Sequence, residues 1–158
     1  MDAGLVDRLV AFVREVGIPV TFAEVDRSVL PGVTIVDGGL EVDRSRLAWP
    51  GDLLHDAGHI AVTDPALRPT LNDLPDDAGE EMAAMAWSYA AACALAIDPA
   101  IVFHAAGYRD HGAVIIRNYA DGGILGQPLL RYWGMTSDPQ FSAADGRAPF
   151  PAMARWLR

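Results

Sequence analysis

The chain has 158 residues, 51% of them hydrophobic and 21% charged, a balance that fits one globular domain with a buried core and excludes a disordered chain. Twelve basic residues against 21 acidic ones leave a net charge of −9. A field of that sign repels phosphate backbones and anionic membrane faces, so neither nucleic acid nor a membrane is an expected partner.

The single cysteine, Cys93, excludes an internal disulfide; set in an alanine-rich apolar run, it reads as a buried structural thiol. The opening residues lack the basic region and long apolar stretch of a secretory signal, so the cytoplasm is the expected location. The longest apolar run, residues 83–97, is too short to span a bilayer and contains Ser88 and Tyr89, which fits a core helix. No linker, repeat or charge block interrupts the chain, and residues 1–158 are read as a single domain.

Leu5, Val6, Leu9, Val10, Phe12, Val13 and Val16 recur at helical spacing, and Gly17 and Pro19 end that helix. Residues 19–25 are β-branched and partly alternating, as a strand requires. Segments 33–36 and 40–42 flank Asp37-Gly38-Gly39 and predict a hairpin. The pattern then turns helical. Pro50 suits the first turn of a helix running through Leu53, Leu54, His55, His59 and Val62 to about 63–65. A polar stretch, 68–77, leads to a second long helix over 77–97. Asp76, Asp77, Glu80 and Glu81 crowd its first turns, where the helix dipole favours negative charge, and Asp98-Pro99 closes it. Shorter helices are expected near 99–106, 111–121, 126–133 and 150–157. The fold class is α+β: an N-terminal helix and small sheet followed by a helical region.

The chemistry concentrates in Leu53-Leu54-His55-Asp56-Ala57-Gly58-His59. Residues four apart on a helix lie about 40° apart around its axis, so His55 and His59 can grip one ion from one face. Asp56 falls beside them, where a carboxylate can take a proton from a bound water. Gly58 lets another element approach the helix closely. The plain alternative is two helix histidines bonded to backbone or solvent. Farther on, His104 and Tyr108 are candidate donors to an oxyanion, or else a helix end with partly buried aromatics. His111 reads as a solvent-facing residue at a helix start.

The segment resembles the zincin metallopeptidases, whose signature is His-Glu-x-x-His on a helix. The likeness spans about residues 33–92: hairpin, motif helix, crossing loop and second helix. It implies a minimal gluzincin-like arrangement with His55 and His59 as ligands of Zn2+ (or another divalent transition metal) and Asp56 as general base. In the gluzincin branch the third ligand is a glutamate on the next helix. Glu81 begins Glu-x-x-Ala-x-x-Trp, similar to the Glu-x-x-Ala-x-x-Phe of small bacterial gluzincins, and is preferred to Glu80 for that role. Asp56 departs from the pattern, being one methylene shorter than glutamate, with about 1 Å less reach. The implied activity is hydrolysis of peptide or amide bonds, with a peptide or protein substrate extended along the edge of the strand before the motif helix. Leu-Leu-His-Asp-x-Gly-His also resembles the core of HD-domain phosphohydrolases, in which adjacent His and Asp both ligate metal; that family needs an upstream histidine, and none precedes His55. A third reading is a zincin fold used for binding or regulation without catalysis, which the shorter Asp56 would suit.

Overall fold

The computed structural model describes residues 3–26, 28–74, 76–138 and 146–158. Helix α1 (Ala3–Val16) is followed by strands β1 (Val20–Phe22), β2 (Val33–Val36) and β3 (Gly39–Val42), then by helices α2 (Asp52–Val62), α3 (Ala78–Ala94), α4 (Ala105–Tyr108), α5 (Gly112–Ala120) and α6 (Gln127–Tyr132). This is the expected α+β class with a small three-stranded sheet. No helix among the described residues is long and apolar enough to cross a membrane.

The sheet order is β1-β3-β2, with β1 parallel and β2 antiparallel to β3. The hairpin forms where its glycines predict it, with Asp37 (φ 47°) and Gly38 (φ 72°) both in the left-handed region. One expectation changes. The strand before the motif helix is β3, which is paired on both sides and has no edge to offer. The edge strands are β1 and β2, and Val33, Thr34 and Ile35 of β2 line a cleft.

A common core joins α1, the sheet, α2 and α3 through buried Leu9, Val13, Val33, Leu40, Val42, Leu54, Ile60 and Trp87. Alanine allows the closest of these contacts. Ala83, Ala84, Ala86, Ala90, Ala91 and Ala92 of α3 are all fully buried, and alanine combines high helix propensity with a short side chain. At Gly58 of α2 an added Cβ would stand 2.8 Å from the Ala84 carbonyl and 3.0 Å from Ser88 Oγ. The close approach expected of Gly58 is therefore with α3, where the Ser88 hydroxyl lies between the Ala84 carbonyl of its own helix at 2.7 Å and the Leu54 carbonyl of α2 at 3.1 Å.

Three further expectations are corrected. Cys93 is exposed, because α3 is buried only over residues 83–92 and its last turn emerges. Residues 99–106 divide into a 3₁₀ turn at Pro99–Ile101 and the separate α4. Residues 150–157 form no helix. Ala154 N–H donates instead to the distant Met135 carbonyl, Ala152 N–H closes a local turn on the Pro149 carbonyl, and the Trp156 carbonyl accepts from Trp87 Nε1.

Candidate metal centre

Helix α2 carries two of the site's side chains, and both of its ends are held. Gly51 at its start sits against residues 101–102, where a Cβ would come within 2.0 Å of the Ile101 carbonyl. At its end the Arg68 guanidinium donates to the Ile60 and Thr63 carbonyls, satisfying acceptors that a helix terminus leaves open. Helix α3 begins at Asp77, whose carboxylate accepts from Glu80 N–H. That cap sets the rotation of the first turn and therefore which glutamate faces α2.

The glutamate that does so is Glu81. Its Oε2 lies 2.9 Å from His59 Nε2, and its Oε1 lies 3.9 Å from His55 Nε2. The two imidazole Nε2 atoms are 3.2 Å apart. One ligand atom from each of His55, His59 and Glu81 falls within 4.8 Å of the others. Glu80 turns away toward Arg158, at 3.7 Å. Asp56, next to His55 in sequence, is not among the three, because a helix turns about 100° per residue.

The donor set fits a tetrahedral divalent ion. Two nitrogens on such an ion stand about 3.3 Å apart when each metal–nitrogen distance is about 2.0–2.1 Å, and the 3.2 Å between His55 and His59 meets that spacing. His59 is buried while Glu81 is 44% exposed, so the site is closed on the α2 side and reachable past the glutamate.

Electrostatics favour a neutral imidazole beside an ionised carboxylate. Burial, with the adjacent His59, holds His55 well below the ordinary histidine range. The hydrogen bond from His59 holds Glu81 below the ordinary carboxylate range, against its partial burial. Asp56 goes the other way. Burial raises its carboxyl to about 7, and the neighbouring carboxylates of Asp52 and Glu81 add to the rise.

His55 and Asp56 form one wall of a cleft of about 470 Å³. The edge strand β2, segment 28–30 and segment 72–74 supply the others. The last of these is tied to the hairpin: Asn72 Nδ2 donates to Asp37 Oδ1, Asp37 N–H donates to Asn72 Oδ1, and Gly38 N–H donates to the Leu71 carbonyl.

No family model, no curated protein and no solved structure matches this chain.

The remaining candidates lie in the segment after α3. His104 is buried and has both ring nitrogens engaged. Its Nδ1 accepts from Gly107 N–H, so the ring proton resides on Nε2 and is donated to Asp52 Oδ1 at 2.8 Å. The ring also stacks on Trp49, with centroids 4.6 Å apart. His104 thus caps α4 and has no free donor to turn toward an oxyanion. Tyr108 is placed with its hydroxyl 2.9 Å from His55 Nδ1. His111 is exposed beside the start of α5.

Sequence reasoning missed the link between Asp52 and His104 and the place of β2, rather than β3, as an edge strand along the cleft. Asp52 had a signal, an acid in the first turn three residues before His55, but its partner lies 52 residues away. The topology behind the second could not be read from strand order alone.

Proposed function

We propose that this chain is a divalent-metal-dependent hydrolase of peptide or amide bonds, built in the manner of a minimal gluzincin. The observation that carries this reading is the convergence of His55, His59 and Glu81, with His55 and its neighbour Asp56 also lining a cleft bordered by the edge strand β2. Two imidazoles and a carboxylate on a buried helix pair suit zinc among the divalent transition metals and leave a fourth position open. When bound, such an ion supplies Lewis-acid polarisation of a carbonyl and a lowered pKa for water.

The chain's own residues do the rest. Asp56 stands beside His55 in the cleft with a carboxyl that titrates near 7, which suits a group that accepts and returns a proton at neutral pH. The outer side of β2 presents backbone donors and acceptors to an extended peptide, as sheet augmentation requires. Val33 and Ile35 border the same space with their side chains in the core, so a substrate would meet β2 chiefly through its backbone.

The test is incubation of the zinc-loaded protein with a diverse peptide library, with cleavage read by mass spectrometry. Cleavage that disappears in Glu81→Ala and in Asp56→Asn, and persists in Asp56→Glu, is the expected result. A zinc-loaded protein inert toward the library, in both the wild type and Asp56→Glu, would favour a binding role over catalysis.

A further inference from the structure

Resting on the metal-centre reading above, we infer that Tyr108 is a positioning residue for His55: its hydroxyl oxygen accepts from His55 Nδ1–H and keeps the Nε2 lone pair turned toward His59 and Glu81. The assignment follows from counting protons along the hydrogen-bonded chain. An ionised Glu81 carboxylate 2.9 Å from His59 Nε2 requires the proton of that contact to lie on the nitrogen. His55 Nε2 stands 3.2 Å from the same nitrogen. A second N–H pointing into that gap would oppose the first, so His55 Nε2 carries the lone pair. The proton of a neutral His55 is then on Nδ1, and the atom opposite it at 2.9 Å is the Tyr108 oxygen.

The surroundings of Tyr108 are built to hold this contact. Helix α4 has only four residues, too short to keep its place alone. It is fixed by His104, which caps it through Gly107 N–H, accepts from Tyr108 N–H on its backbone carbonyl, and is itself anchored to Asp52 of α2. Helix α2 therefore positions, through Asp52, the residue that returns to orient His55 on the same helix. The residue after Tyr108 is strained: Arg109 adopts φ 51° and ψ −132°, a region that side chains other than glycine rarely enter. The chain bends sharply there, directly after presenting the phenol.

The experiment uses the full chain, wild type and Tyr108→Phe, which keeps the ring against Phe103. The histidine ring nitrogens of the metal-free proteins are observed by 15N NMR, and zinc affinity is measured by competition with a chelating dye. The wild type is expected to show a protonated Nδ1 and an unprotonated Nε2 at His55. The variant is expected to gain the opposite tautomer and to bind zinc about 10–100-fold more weakly, as loss of an outer partner to a ligating histidine usually does. An unchanged tautomer in the variant, or an unchanged affinity, overturns the inference. A wild type that takes up no zinc while the variant still changes tautomer overturns the metal reading and leaves the Tyr108–His55 contact standing.

Discussion

Gly58 of α2 lies against the Ala84 carbonyl of α3, so that a Cβ at position 58 would stand 2.8 Å from that oxygen. The obstacle is backbone and cannot rotate away, and Ser88 Oγ closes the other side at 3.0 Å. The same approach brings Glu81 to His59, less than one helical turn along each helix. Gly58→Ala is therefore expected to lower stability by about 1–3 kcal/mol and to weaken metal binding by pushing α2 and α3 apart. Denaturant unfolding of the metal-free protein measures the first effect and zinc titration the second. A variant with the wild-type midpoint would show that the two helices slide without loss.

The carboxyl of Asp56 makes stability depend on pH in a set direction. Burial raises its value in the folded chain to about 7, from 3.8 when unfolded. Between those values the unfolded chain has released the proton and the folded chain has not, so stability falls as pH rises across this window. Above it, the buried ionised group remains a penalty of a few kcal/mol. Asp56→Asn removes the penalty. Metal-free Asp56→Asn should melt near the wild-type temperature at pH 4 and increasingly above it up to pH 7, with no further gain beyond. A difference constant over the whole range would mean that Asp56 is solvated.

Arg109 offers the opposite kind of test. Its left-handed backbone (φ 51°) is one that glycine adopts freely, and its side chain is exposed. Arg109→Gly should raise stability by about 1 kcal/mol, since the relief of strain outweighs the added freedom of the unfolded chain. Calorimetric melting decides it, and a lower melting temperature would place the strain elsewhere.

How much was legible in the sequence follows the range of the interactions involved. Spacing on one helix is local, so His55 and His59 could be paired from their separation together with the adjacent Asp56 and apolar flanks, whereas Glu81 came only from the resemblance of its Glu-x-x-Ala-x-x-Trp to the gluzincin pattern. Gly58 was legible from the same local stretch as the histidines. His104 and Tyr108 were legible only as a polar island. Their geometry depends on Asp52 and His55, more than fifty residues earlier, and a contact at that separation leaves no periodic trace. The edge of the sheet was misassigned because β3 is last in sequence but central in space, its outer side taken by parallel pairing with β1. Residues 150–157 carry apolar side chains at spacings a helix would accept. Pro151 would stand in the first turn of such a helix, where its missing N–H costs nothing and gives no warning; what decides the segment is non-local, the Ala154 N–H donating to the Met135 carbonyl.

The most direct test of the metal centre is elemental analysis of the purified protein, before and after incubation with zinc and removal of excess, alongside folded His59→Ala, Glu81→Ala and Glu80→Ala variants. The expected result is close to one zinc per wild-type chain, retained in Glu80→Ala, whose side chain faces Arg158, and lost in the other two. No metal in the wild type after incubation, or equal metal in all four proteins, would contradict the account.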